Sequence, residues 1–307
     1  MFVMHGVRRT ACAMAALAAL AVSAPAFAQE AKDPNPGALT ITGTVDFLNQ
    51  YQFRGIRQNS TGIAVWPAVD LGFAAFSGEG GLKSVGINFG TWNSLHTGDT
   101  GADTDETLLG CACGKLWYES DFYATLGFGF GGGVSFSTTY TAYTSPNNGF
   151  STVKEIAFKL GVDDSAKLGK AAFKPYALIA QEFDTGANLG QADGGLNKGT
   201  YLELGAAPGY SASKASIAFP IKVGLSLKDY YELADAFGDY QDNKFGYFSI
   251  AGIATIPLGG TTNFGSWNIH GGVEYQRLGD TTAFFNSDED GPRKDQIIGS
   301  IGFGFSY

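Results

Sequence analysis

Leu39–Phe53 reads LTITGTVDFLNQYQF, and its alternation decides the fold. Odd positions carry Leu39, Ile41, Gly43, Val45, Phe47, Asn49, Tyr51 and Phe53, while even positions carry Thr40, Thr42, Thr44, Asp46, Leu48, Gln50 and Gln52. Successive side chains of a strand point to opposite faces, so this segment has one apolar and one wet face. Ile217–Tyr231 repeats the pattern, with Ile217, Phe219, Ile221, Val223, Leu225 and Leu227 opposing Ser216, Lys222, Ser226, Lys228 and Tyr230. Along 115–130, Leu116, Tyr118, Phe122, Leu126, Phe128 and Phe130 oppose Trp117, Glu119, Asp121, Tyr123 and Thr125. At the end of the chain, Ile297, Gly299, Ile301, Phe303, Phe305 and Tyr307 oppose Gln296, Ser300, Gly302, Gly304 and Ser306.

Applied throughout, the test gives about twelve strands, at 39–57, 63–75, 83–93, 115–130, 133–144, 152–163, 173–184, 199–208, 216–231, 244–258, 264–277 and 295–307. Glycine supplies 44 of 307 residues, aromatics 14% and charged residues only 16%, against about a quarter in ordinary soluble domains. Beyond the N-terminal segment no run of 18 apolar residues occurs, which excludes helical membrane spans. The connections differ in length by side. Those at 76–82, 131–133, 164–172, 209–215 and 259–263 are short, whereas the opposite set includes 94–114, 185–198, 232–243 and 278–294, which are long, polar and acid-rich, with 59–62 and 145–151 as two short exceptions. On the apolar face, Tyr51, Phe53, Tyr118, Tyr231, Phe248 and Tyr275 fall near one rim. Phe73, Phe128, Phe130, Phe136, Phe219, Trp267, Phe303 and Phe305 fall near the other. An even number of strands, asymmetric loops and two aromatic girdles point to an all-β transmembrane antiparallel up-and-down barrel. A soluble β-sandwich also alternates, but its apolar face needs no banding by depth.

Met1–Ala28 has the parts of a cleaved signal peptide. Arg8 and Arg9 precede a short apolar stretch, which ends on Ala26-Phe27-Ala28. The expected organisation is signal peptide 1–28, a short periplasmic segment 29–38 and an outer-membrane barrel 39–307. Such a protein partners outer-membrane lipid and lipopolysaccharide, and it passes periplasmic chaperones and the barrel-assembly machinery on the way. Phe303, Phe305 and Tyr307 resemble the terminal aromatic signal that this machinery is expected to read. For closure, strand 39–53 has to pair with 296–307 and remove both free edges.

With the apolar face on lipid, the other face lines the lumen. It carries Asp46, Asp70, Glu119, Asp121, Glu155, Glu182, Asp184, Glu203 and Glu274 against Arg54, Lys159, Lys174, Lys222 and Lys228. The acids are in excess, which favours cations weakly if cross-strand pairing leaves some of them free. Trp66, Trp92, Trp117, Tyr123, Tyr143, Tyr176, Tyr201, Tyr230 and Tyr247 share this phase and either fill a narrow interior or stack on a solute. Arg54, Asp70, Glu119, Asp121 and Lys228 are expected nearest the constriction or mouth, with Asp46, Tyr123, Lys159, Lys174, Glu182, Lys222, His270 and Glu274 also lining the pore.

Other chemistry is sparse. His96 falls in the first long loop and His270 on the lumen phase, and no hydrolase motif surrounds either, so no enzyme is expected. Cys111 and Cys113 form either a tight disulfide or two idle thiols, and two sulfurs make a poor metal site. The clusters Asp103/Asp105/Glu106 and Asp288/Glu289/Asp290 lack calcium-loop spacing and read as solvated charge. Neither cofactor nor metal is expected, and the formal net charge of −9 argues against nucleic acid.

Tyr51-Gln52-Phe53-Arg54-Gly55-Ile56-Arg57-Gln58 resembles the motif Tyr-x-Phe-Arg-Gly-x-x-Gln of the TorF-like family of proteobacterial outer-membrane porins, and Gly90-Thr91-Trp92 is similar to a later family segment. Arg57 stands where the family pattern has serine, and the Cys111–Cys113 loop is not part of that pattern. The resemblance covers about the first third of the chain after the signal segment. It implies an outer-membrane porin without fixing its substrate; passive passage of small hydrophilic solutes or ions is the reading the barrel and its polar lumen phase suggest. From phase alone, Arg54 is expected on the lumen near the outer mouth, with Gly55 permitting a bend or bulge beside it.

Overall fold

The structure, a computed structural model, describes residues 38–59, 61–98, 116–184, 197–212, 214–235, 237–259 and 265–307. The signal segment and Cys111 and Cys113 lie outside the described residues. Twelve antiparallel strands, each paired to its neighbours in sequence, form one closed sheet. They are β1 (Leu39–Leu48), β2 (Ala64–Ser77), β3 (Leu82–His96), β4 (Trp117–Phe130), β5 (Val134–Thr144), β6 (Val153–Val162), β7 (Tyr176–Asp184), β8 (Thr200–Ala206, continuing Gly209–Ala212), β9 (Ala215–Ala218, continuing Ile221–Lys228), β10 (Phe245–Pro257), β11 (Ser266–Leu278) and β12 (Asp295–Ser306). The seam runs from Leu48↔Ser300 to Thr42↔Ser306, joining β1 to β12. Closure gives both edges ladder partners, the condition for a sheet to cross hydrocarbon.

β8 and β9 are interrupted at Pro208 and Pro220, which lack an N–H for the ladder. Their carbonyls stay in use, accepting from Phe219 and Ala251 at 2.8 and 2.9 Å. Val45, Phe47, Val69, Leu71, Phe89, Leu126, Ile250 and Val273 stand exposed on the outer face, the surface lipid would cover. The rim with short turns carries Phe73, Phe130, Trp267 and Phe303, also exposed.

The other rim differs from the expected one. Tyr51, Phe53, Tyr118 and Tyr231 lie inside, whereas Tyr275 is exposed as expected and Trp117, Tyr140, Phe183 and Phe245 are exposed as well. Three local events cause this. β1 stops at Leu48 rather than continuing to residue 57. In β4 a bulge falls where Ser94↔Glu119 steps to Leu95↔Trp117. The inserted residue inverts the phase, so Trp117, expected in the lumen, is 49% exposed and Tyr118, expected on lipid, is 1% exposed. β9 ends at Lys228, Asp229 takes a left-handed backbone (φ 48°), and Tyr230 and Tyr231 both turn inward.

Candidate functional site: an inturned hairpin in the lumen

The segment after β1 leaves the wall and enters the barrel. Gln52–Phe53 pairs with Ile56–Arg57 in a two-stranded sheet of its own, Gln52 opposite Arg57 and Phe53 opposite Ile56. The corner residues Arg54 and Gly55 both have positive φ, 45° and 85°. Two such residues in succession form the tight turn that matches strand twist, and glycine takes that conformation without strain. At Gly55 space is also limiting, because a Cβ would sit 3.1 Å from Tyr247 Cβ and 3.2 Å from Thr282 Cγ2. Where the sequence suggested a bend beside Arg54, the chain reverses.

Tyr51, Phe53 and Ile56 are wholly buried. Arg54 reaches across the lumen to β6, where its two terminal nitrogens donate to Glu155 Oε2 at 2.7 Å and Oε1 at 2.9 Å. It also donates to Tyr230 Oη at 2.7 Å, and its guanidinium lies 4.1 Å from the centre of the Tyr201 ring. Burial alone would lower the Arg54 pKa, but Glu155 together with Tyr230 and Tyr143 more than offsets this and raises it, so the charge is fixed. Tyr143 Oη donates to Glu155 Oε1 at 3.0 Å, and Tyr231 Oη donates to the Arg54 carbonyl at 2.9 Å.

The rest of the segment is held by side chains on several elements. Tyr51 Oη donates to Glu119 Oε2 at 3.0 Å, and Tyr118 Oη to Gln58 Oε1 at 2.8 Å. Towards the long loops, the short helix Asp280–Phe285 buries Thr281, Thr282, Ala283 and Phe285. Beyond it, Asn286 Nδ2 donates to the Gly55 carbonyl at 2.8 Å, Gln52 Nε2 donates to Asn286 Oδ1 at 2.6 Å, and Arg57 donates to the Ser287 carbonyl at 2.9 Å. That helix lies in the expected polar loop 278–294, and its inward face was not read from the sequence. Thr-Thr-Ala-Phe-Phe at 281–285 is the signal that was available.

Towards the short turns the lumen is built differently. A cavity there is lined on the lumen side by Ser84, Gly86, Gly127, Gly129, Ser135, Ser137 and Lys159. Lys159 lies 4.2 Å from the Tyr176 ring centre, and Glu203 accepts from Tyr176, Tyr201 and Tyr247 at 2.7 to 3.0 Å. Lys222 stands 3.7 Å from Glu274. His270 Nε2 meets Asp46 Oδ1 at 2.6 Å across the seam, passing over Gly302, where any Cβ would collide with both. Asp70 accepts from Asn88 at 2.6 Å, and Tyr123 lies across Gly90 beside it. Glu182 is buried and accepts from the Gly199 amide at 2.8 Å.

Two expected lining residues stand apart from this interior. Lys228, at the end of β9, is 74% exposed beside Asp229. Lys174 precedes β7, which begins at Tyr176 rather than 173, and holds a left-handed turn (φ 49°). His96 ends β3 instead of lying in a loop. Its Nε2 meets Ser94 Oγ at 2.9 Å, and both are sealed from solvent.

No family model and no curated protein matches the chain. Solved structures that it resembles are outer-membrane barrels. An outer-membrane channel from Pseudomonas putida F1 aligns at TM-score 0.48 and 12% identity, covering 89% of this chain and 97% of that one. The translocator domain of the autotransporter NalP from Neisseria meningitidis aligns at 0.38 and 12%, covering 88% and 89%. Outer membrane phospholipase A from Escherichia coli aligns at 0.40 and 8%, covering 86% and 92%. The closed ladder and the apolar belt, independently of these likenesses, make the chain a membrane-spanning β-barrel.

Proposed function

We propose that the protein is a porin of the Gram-negative outer membrane, exported by its N-terminal signal. Its short turns lie in the periplasm, and small hydrophilic solutes or ions pass through a lumen narrowed by residues 51–58. The observation that carries this reading is how the hairpin is attached. It pairs in its own small sheet and not with the wall, so side chains hold it: Glu119 of β4, Glu155 of β6, Tyr230 and Tyr231 after β9, and Asn286 beyond the Asp280–Phe285 helix. A segment held this way can shift without breaking the ladder that closes the barrel. Beneath it the wall presents glycine, serine and mixed charge instead of packed apolar side chains. The acid excess on the lumen phase favours cations weakly. Membership of the TorF-like family belongs to this proposal, since the eight residues that carry the resemblance include the whole hairpin.

Planar-bilayer recording of the refolded full chain tests it. Discrete conductance steps are expected, and replacing Gln52–Arg57 by a short Gly-Ser linker should enlarge them. A tight seal for both proteins would sink the porin reading. The complete burial of Tyr51, Phe53 and Ile56 favours a second reading, a closed structural barrel with exposed loops. That reading expects no steps from the natural chain and solute leakage only from the linker variant.

A further inference from the structure

Beneath Tyr51 lies a group of charges that the Arg54–Glu155 pair leaves unbalanced. Glu119 and Asp121 stand two residues apart on the lumen face of β4, 0% and 1% exposed. Glu119 Oε2 receives the Tyr51 hydroxyl. Glu119 Oε1 and both oxygens of Asp121 are buried with no donor in bonding geometry; the Thr144 amide approaches Asp121 but falls outside it. The two carboxyl groups lie within reach of one another.

Among the described residues, the groups facing them offer no compensating cation. The hairpin segment contributes Tyr51, β4 itself Tyr118 and Tyr123, and β5 Tyr143. From β3, His96 stacks on Tyr118 with ring centres 4.6 Å apart and is turned to Ser94. On β2, Asp70 stands beyond Tyr123, and on β6, Glu155 is occupied by Arg54. Burial, then the neighbouring carboxylates, pushes the Tyr51 hydroxyl well above its ordinary value, so Tyr51 stays a neutral donor. Two ionised carboxylates sealed together without a cation would be very costly, and a single proton shared between them removes most of that cost.

We infer that Glu119 and Asp121 form a buried proton-binding site that latches the hairpin in the lumen: one shared proton holds Tyr51 down, and its loss releases the segment. The step is a simple ionisation. The carboxyl O–H bond breaks, the electron pair stays on oxygen, and the proton leaves to water entering as the hairpin lifts. The latched state binds this proton more tightly than the released, hydrated state does. Latching is therefore complete at low pH and lost as pH rises through the latched-state pKa. Across the window in which only the latched state is protonated, the released-to-latched ratio rises about tenfold per pH unit.

The proposal rests on the porin reading for its effect on transport but not for the latch itself, and two readouts separate them. Tyr51 packs against Trp66 and Trp92, with ring centres at 5.0 and 5.5 Å, so tryptophan fluorescence reports whether the hairpin is seated. Fluorescence and bilayer conductance are followed from acid to mildly alkaline pH for the natural chain, Glu119→Gln, Asp121→Asn and the double variant. Barrel assembly is checked by heat-modified gel mobility. The natural chain should show a reversible fluorescence transition, with conductance rising through the same pH range. The double variant, permanently uncharged, should stay in the low-pH state throughout. If either single variant fails to assemble, the other and the infrared carboxyl band of the natural chain still decide, because a protonated carboxyl band must be present at low pH and vanish through the transition. A flat fluorescence profile, an unchanged transition in the assembled variants, or a response to metal ions in place of pH would overturn the latch. A transition abolished in the variants but with no conductance at any pH would leave the latch standing and remove the porin reading.

Discussion

The two halves of the lumen solve the same geometric problem in opposite ways. Towards the short turns, the wall is lined by Ser84, Gly86, Gly127, Gly129, Ser135 and Ser137, with charged groups spaced among them and partly solvated. Towards the long loops, the interior is filled by Tyr51, Phe53, Arg54 and Ile56, and nearly every polar group of that hairpin has a named partner. The charge pairs show the difference. Arg54–Glu155 is bidentate and buried on both sides, whereas Lys222–Glu274 is 3.7 Å apart with both side chains about a quarter exposed. One half fixes a conformation, and the other keeps a surface.

Removing one side of the buried pair should have the largest effect. Arg54→Ala strands Glu155 and should destabilise the hairpin-filled half by about 3–5 kcal/mol, read as a lower midpoint in denaturant unfolding of the refolded barrel. An unchanged midpoint would mean the two halves do not differ in this way. Gly55→Ala comes next. The left-handed turn and the close approach of Tyr247 Cβ should cost about 1–3 kcal/mol, measured in the same assay. Tyr230→Phe removes one bond to Arg54 and should cost roughly 1–2 kcal/mol, which a double-mutant cycle with Arg54→Ala would assign to that pair. Lys222→Met, in the other half, should change stability by less than about 1 kcal/mol while shifting the reversal potential in an ion gradient. A stability loss as large as that of Arg54→Ala would erase the contrast.

The smallest effect concerns a turn outside the membrane-spanning strands. Asp164 accepts the backbone N–H groups of Lys174 and Phe173 at 2.9 and 3.2 Å, and these bonds, the Lys174 one foremost, hold its carboxyl below the usual aspartate range. A depressed folded-state pKa stabilises above the ordinary value and loses that contribution as pH falls through the depressed one. Amide exchange at Lys174 should therefore quicken only in acid, and Asp164→Asn should flatten that dependence.

Much of the wall was legible from the sequence because a strand alternates with a fixed period of two, and lipid makes one face uniformly apolar. The phases of Asp46, Asp70, Glu274 and His270 follow from that alone. What failed was any place where the chain kept alternating after leaving the ladder. Tyr51 and Phe53 continue the rhythm of β1, but alternation reports which side chains are apolar, not what the backbone is bonded to. The turn at Arg54-Gly55 carried a weak sign of reversal, because arginine is not a usual left-handed residue and glycine alone also fits a bulge. At Trp117-Tyr118 a single inserted residue exchanged the two faces, and two aromatics in succession fit either phase.

The hairpin also spans the chain in a way the wall does not. Every ladder except the seam joins elements adjacent in order, so it records only that neighbours have met. Arg54 is tied to Glu155, 101 positions on, to Tyr230, 176 positions on, and to Tyr231, 177 positions on, while Gly55 is tied to Asn286, 231 positions on. Eight residues next to the first strand thus gather the middle and the end of the polypeptide around one point. During assembly they would have no seat until β6, β9 and the loop before β12 had all arrived, so the docked hairpin is a check that the whole circle is in place.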